Sequence, residues 1–288
     1  MRTLLLVLLT GIGAVTHAQV LTNVPAAFAA IDADRPVVKY FTNRHYATPT
    51  GGHLQGIQAT GNGYWLITAS SSNYSYYLRV AGDTLQSLHK LYDTPYRHAG
   101  GCQFAGDKLF TGVEDNIAKD KAKVVAVGEN GSIAVIAQRS GRYKRSTAGA
   151  TGAVYVNGKY IVAVADWDSR NIDFYRADAA GYDSVGTFSA GTGVTWGSYQ
   201  SVNLLADTAG NLFMVGFCKD GKYNRADLFA VNSVYNLALL SSRTFTCKRR
   251  CSFRYGTGLG VNKTTLVVYT CQRGLKRRNA VNVFSRGL

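Results

Sequence analysis

Five ten-residue segments of this sequence align without gaps: TGNGYWLITA from Thr60, FAGDKLFTGV from Phe104, YVNGKYIVAV from Tyr155, DTAGNLFMVG from Asp207 and GVNKTTLVVY from Gly260. Their starts lie 44, 51, 52 and 53 residues apart. Each sets Gly or Asn where a two-residue hairpin turn needs a positive φ, then runs into β-rich residues. A unit that recurs at this period and cannot bury its apolar face alone has to stack on its neighbours. The repeat therefore constrains the fold more than any single motif does.

The flanks repeat as well. A strand precedes each turn (HLQGIQA, HAGGCQF, TAGATGAVY, YQSVNLL and CSFRYGTGLG), and a third strand follows a polar loop (YSYYLRV, KVVAVG, NIDFYRA, ADLFAV and NAVNVFS). Four units add a fourth strand, TLQSLHKL, SIAVIAQ, SVGTFSA and NLALLSSRTF, whereas the fifth ends after its third. The expected fold is all-β: a five-bladed β-propeller whose last blade is closed by the N-terminal strand PVVKYF, residues 36 to 41. A six-bladed ring, with a blade hidden in residues 20 to 52, and a β-sandwich are the alternatives; residues 20 to 35 are too Ala-rich and short for a blade. The 18 Tyr, 12 Phe, 31 Gly and only 4 Pro suit short strands joined by tight turns.

The N-terminus, MRTLLLVLLTGIGAVTHAQ, has one early cation, a short apolar run and small residues ending at Ala18. That is the pattern of a secretory signal peptide over residues 1 to 18, followed by a single domain over 19 to 288. The expectation is an exported or periplasmic monomer with no membrane span. The net charge of +15, or +14 without Arg2, points to an anionic partner: an acidic polysaccharide first, nucleic acid second.

Folded onto propeller geometry, the starts of first strands meet the ends of second strands at one channel mouth. His53 then joins Ser70, Ser71 and Ser72; His98 joins Glu114 and Asp115; Thr147 joins Asp166, Trp167 and Asp168; Gln200 joins Lys219 and Asp220; Arg254 joins Gln272 and Arg273. His53 and His98 head two copies of one pattern, HxxGxQ. Such a repeat serves a scaffold, with Gly allowing close approach and Gln satisfying buried polar groups, or supplies imidazoles for proton transfer. His53, His98, Glu114, Asp115 and Asp168 are the catalytic candidates. The carboxylates also suit salt bridges or calcium, although calcium is the one metal they suggest. Trp167 offers a sugar-stacking surface.

Four basic runs map to the mouth face: Arg139, Arg142, Lys144 and Arg145; Lys219, Lys222 and Arg225; Lys248, Arg249 and Arg250; Arg273, Lys276, Arg277 and Arg278. Trp167, Arg145, Lys219, Arg250, Arg254, Gln272 and Arg273 are the expected substrate-binding residues. Of five cysteines, Cys102 falls on an apolar first-strand position and is expected to be a buried free thiol. Cys251 to Cys271 with Cys218 to Cys247 is the preferred pairing, and Cys247 to Cys251 the rival. CKRRC lacks companion ligands at zinc spacing. Asn73, Asn130 and Asn262 stand in glycosylation sequons.

HAGGCQFAGDKLFTGVEDN, VADWDSRNIDFYRA and CSFRYGTGL resemble a group of secreted, mostly bacterial proteins with repeated HxGGxQ units, over most of the mature chain. That resemblance implies no activity. In architecture it is similar to five-bladed propellers, which include sugar-binding lectins and several glycosidases. Those glycosidases carry acidic residues on channel-lining strands, where this chain has His, Gln and Thr, which weakens a two-carboxylate hydrolase. The function expected is binding of an acidic polysaccharide on the basic mouth, with cleavage by β-elimination if the protein is an enzyme. The rivals are a lectin-like module without catalysis and a secreted phosphodiesterase or nuclease.

Overall fold

A computed structural model describes residues 21–178, 181–262 and 264–286; residues 1 to 18, where a signal peptide is expected, lie outside them. The five turn segments become hairpins. In the first, β2 (Leu54–Ala59) turns into β3 (Tyr64–Ser70), followed by β4 (Tyr74–Ala81) and β5 (Thr84–Asp93) as one antiparallel meander. The second meander is β6 (His98–Ala105), β7 (Lys108–Glu114), β8 (Lys121–Gly128) and β9 (Ile133–Ser140). The third is β10 (Ala150–Val156), β11 (Lys159–Ala165), β12 (Asn171–Asp178) and β13 (Gly181–Ser189). The fourth is β14 (Ser201–Ala206), β15 (Leu212–Asp220), β16 (Tyr223–Ser233) and β17 (Asn236–Phe245).

The last three strands, β18 (Thr257–Asn262), β19 (Thr265–Cys271) and β20 (Arg278–Phe284), gain their fourth from the other end of the chain. It is β1 (Val37–Thr42), which runs antiparallel to β20 from the pair Val37↔Val283 to the pair Thr42↔Arg278. Joining the two ends covers a row of backbone groups that β20 would otherwise leave unpaired. Single parallel pairings, Thr257↔Gly56, Thr42↔Thr84 and Ala150↔Gly101, link neighbouring sets. By hydrogen bonding the strands thus form a closed eight-stranded sheet, an open eight-stranded sheet and a four-stranded sheet.

The inner strands approach one another backbone to backbone, and glycine makes that possible. A Cβ on Gly56 would stand 2.6 Å from the Cys102 nitrogen, and one on Gly101 2.6 Å from the Gln200 carbonyl oxygen. Gln103 fastens β6 to its neighbours: its Nε2 donates to Leu204 O at 2.8 Å, while its Oε1 accepts from Ala153 N at 2.8 Å and Leu204 N at 2.7 Å. Since β14 lies in the fourth set, these bonds reach past the third and fill the centre of the molecule. Between sets lie apolar clusters, such as Leu54, Ile57, Ile67 and Val281 between the fifth and first.

Residues 21 to 35 contribute no strand set. A short helix, α1 (Val24–Ala29), is capped by Asn23 and buries Val24 and Phe28 against the fourth and fifth sets, in one cluster with Phe213, Phe253 and Phe284. Among the described residues no helix is long and apolar enough to cross a membrane.

The preferred disulfide pairing is corrected. Cys247 bonds to Cys251 with the two Cα atoms 5.5 Å apart, and Cys102, Cys218 and Cys271 are buried free thiols. The reason lies in the intervening turn, where Arg249 (φ 53°) and Arg250 (φ 61°) fold the chain back on itself. Cys271 meanwhile points inward, its Sγ donating to Gly256 O at 3.3 Å, and Cys218 packs in the core beside Tyr199.

Candidate functional site

His98 opens β6, Glu114 ends β7, and the antiparallel register sets them opposite each other. Both are enclosed, Glu114 at 0% and His98 at 5% exposure. Glu114 Oε2 accepts the Ala148 N–H at 2.7 Å. Its Oε1 stands 3.1 Å from His98 Nδ1, in range for attraction but without the alignment of a full hydrogen bond. The other ring nitrogen, Nε2, lies 2.6 Å from the side-chain nitrogen of Gln55, and that same nitrogen also touches His53 Nε2. An amide NH₂ has two hydrogens and no free lone pair, so Gln55 in this orientation donates to both rings, and each carries its proton on Nδ1. In His98 that N–H faces Glu114, the arrangement by which a buried carboxyl group fixes an imidazole's tautomer.

His53 differs. Burial first, then the charges of His98, Arg273 and Arg254, push its pKa down to about 3, so the ring stays neutral far into acid. Its ring meets His98 at a centroid distance of 5.4 Å and Tyr255 edge-on at 5.1 Å. His98 in turn lies 6.4 Å from Trp167. Each end of this row is capped by a cation: Lys119 Nζ stands 4.0 Å from the Trp167 ring centre, and the Arg273 guanidinium 5.3 Å from that of Tyr255. Lys119, Trp167, His98, His53, Tyr255 and Arg273 thus follow one another across the mouth.

Trp167 owes its place to a bonded turn. Asp166 accepts from the Asn171 side chain at 2.6 Å, Ser169 adopts φ 56°, and Trp167 N donates to Lys144 O at 3.3 Å. Burial raises the Asp166 pKa.

Other expected site residues are engaged elsewhere. Asp115 caps its own turn, accepting from the backbone N–H groups of Ile117 at 3.0 Å and Ala118 at 3.1 Å. Asp168 pairs with Lys144 at 2.9 Å. Asp115 and Asp168 are thus held by their own turn and by Lys144, and no group of three or more metal-binding side chains is found among the described residues. Arg145 does not face a ligand: it grips Asp173 at 2.6 and 2.9 Å, and Arg139 reaches the same carboxylate at 2.5 Å. Burial opposes the Asp173 charge, but the Arg145 hydrogen bonds and the Arg139 charge outweigh it and hold the pKa low. Gln272 is tied to Gly274 O at 2.9 Å and to Asn279 Oδ1 at 3.2 Å. Lys219, Arg250, Arg254 and Arg273 are exposed, and of these Arg273 and Arg254 bear on His53.

Gln55, Tyr255 and Lys119 complete the site and were not expected. Gln55 stands two residues after His53, a spacing that puts two side chains on one face of an extended chain. Tyr255 directly follows Arg254, so its neighbourhood was in view. Lys119 carries no signal, since its φ of 56° and loop position place it.

No family model matches the sequence, and no curated protein does. Solved structures do. A β-fructofuranosidase of family GH32 from Bombyx mori superposes with a TM-score of 0.51 at 10% identity, covering 90% of this chain and 64% of that one. An exo-β-1,3-galactanase from Phanerochaete chrysosporium gives 0.50 at 10% identity, over 86% of this chain and 64% of that one. The chain thus spans just under two thirds of either neighbour. At such identity the likeness is one of fold: the neighbours are β-propellers, and this chain is all-β and propeller-like.

Proposed function

We propose that this chain is an exported five-bladed β-propeller, each strand set one blade and β1 closing the last, that binds an acidic polysaccharide across its mouth. The observation that carries this reading is the row of rings capped by cations at both ends. Aromatic faces stack on sugar rings, while Lys119 and Arg273, with the exposed Arg254, supply charge for carboxylates along a chain. Carbohydrate-active neighbours of the same fold agree with it, and a disulfide suits an oxidising compartment.

Calorimetric titration against uronate polymers, sulfated glycans, a neutral glucan and single-stranded DNA tests it. Uronate polymers should bind best, and Trp167→Ala or Arg273→Ala should each weaken binding by about tenfold. Tighter binding of DNA would transfer the site to nucleic acids.

A second reading, cleavage by β-elimination, is favoured by the enclosed His98–Glu114 pair. His98 Nε2, released from Gln55, would take the proton beside the uronate carboxylate. A carbon–carbon double bond forms as the bond to the leaving oxygen breaks, and the Tyr255 hydroxyl returns a proton to that oxygen. His53 is a poor base, because its pKa is held at about 3. New ultraviolet absorbance from a uronate polymer, lost in His98→Ala, is the expected signature; binding with no change in absorbance or polymer length leaves a lectin-like module.

A further inference from the structure

A second concave region lies away from the mouth: a cleft of about 490 Å³ between the first and second strand sets at the opposite end of the strands, by the turns at Thr60 to Asn62 and Gly128 to Gly131. That volume is in the range of small-molecule sites. At three other junctions an aromatic side chain stands between the sets. Between the second and third sets Tyr160 bonds Asp107 and packs on Phe110 at 5.1 Å. Between the fifth and first, Trp65 meets Tyr269 at 6.4 Å. Between the fourth and fifth sits Phe28 of α1.

Its walls are built for a ring. Tyr77 and His89 stack nearly parallel, at 15° and 4.7 Å, and Tyr64 and Phe104 add further ring surface. Arg79 lies over Tyr64 with its guanidinium 3.9 Å from the ring centre. Arg79 has no carboxylate partner among the described residues, so its N–H groups are available to an acceptor. Glu129 and Asn130 stand exposed at the rim. The charge felt inside is that of Arg79: it lowers the pKa of His89, adding to burial, and opposes the rise that burial imposes on Tyr77, whereas Glu129 enters neither.

We propose that this cleft is a second, separate binding site, for a single sugar ring bearing a carboxylate: the ring seats against Tyr77, Tyr64 and Phe104, and the carboxylate meets Arg79. The site does not depend on the reading of the mouth.

Calorimetry or ligand-observed NMR with monomeric galacturonate and glucuronate, on the full chain, tests it. The uronates should bind with a Kd on the order of 1 mM. Arg79→Met should weaken binding by at least about tenfold, Arg79→Lys by less, and Tyr77→Phe severalfold. Trp167→Ala and His98→Ala should leave it unchanged, which separates this site from the mouth. Arg79 is exposed, so an unshifted thermal unfolding curve for Arg79→Met shows that the fold persists. No uronate binding at about 20 mM, equal binding of galactose, tighter binding of benzoate, or loss of binding in Trp167→Ala rather than Arg79→Met would each overturn the proposal.

Discussion

HLQGIQ and HAGGCQ are two copies of one pattern with different fates. In both, the glycine lets backbone of another set approach to within a Cβ radius, Gly56 against Cys102 of the adjacent set and Gly101 against Gln200 of the fourth. The polar positions diverge. At the end of the paired second strand His53 meets Ser70, whose hydroxyl accepts the His53 N–H at 3.1 Å, so the ring is left to Gln55, Tyr255 and the mouth arginines. His98 meets Glu114, a side chain long enough to reach both the ring and the Ala148 N–H of the next set. Gln103 makes three hydrogen bonds, while the Gln58 side-chain nitrogen is buried with no partner. Repetition fixes the backbone; what each neighbour offers decides the chemistry.

Removing the feature that most separates the copies should have the largest effect. Glu114→Ala strips a buried carboxyl from the Ala148 N–H and leaves His98 Nδ1 enclosed without its partner; a loss of about 3 kcal/mol in denaturant unfolding is expected. A loss under about 1 kcal/mol would show that water replaces the side chain and that the pair is looser than its burial implies. Next comes the shared feature. Gly101→Ala puts a methyl group 2.6 Å from the Gln200 carbonyl oxygen and 2.8 Å from the Ser201 Cα, both backbone atoms. About 2 to 3 kcal/mol should be lost, and Gly56→Ala should cost a similar amount, since it meets the Cys102 nitrogen equally closely. Unequal losses would mean that the two inner strands are not packed alike.

Strand sets and their N-terminal completion were legible because turn glycines and alternating apolar residues are local signals, set by φ and by side-chain direction. The same holds for Cys102, whose apolar register position foretold a buried thiol. The free cations were not legible. Arg145 and Arg139 read as one basic run, yet their guanidiniums meet Asp173 from another set, a contact that sequence distance hides. Lys119 reads as an ordinary loop residue, and only a left-handed backbone brings it over Trp167. The cleft at Arg79 was invisible for a related reason: a space is made by what several strands fail to fill, and no single residue marks it.

The glutamines should separate the copies more gently. Gln103→Leu strands the Ala153 and Leu204 N–H groups and the Leu204 carbonyl, for about 2 kcal/mol. Gln58→Leu deletes an amide nitrogen that has no partner, so stability should change by less than about 0.5 kcal/mol. Equal losses in denaturant unfolding would assign Gln58 a bonded water and make the two copies alike.

A difference smaller than that between the glutamines tests the histidines themselves. The folded pKa of His53 is about 3 against 6.5 for a free imidazole. Between these values the unfolded chain takes up a proton that the folded chain refuses, so stability is present above pH 6.5 and falls as the pH drops towards 3. Solvent reaches part of the ring, so the loss between pH 7 and pH 4 should be roughly 1 kcal/mol rather than the larger figure of a sealed imidazole. Carboxylates with lowered pKa values, Asp173 among them, also weaken the fold in acid, so the measurement is a difference. Urea unfolding of the native chain and of His53→Gln at both pH values should show the variant losing less by that amount. Equal losses would mean that the imidazole titrates normally when folded, and that neither burial nor the neighbouring charges hold it neutral.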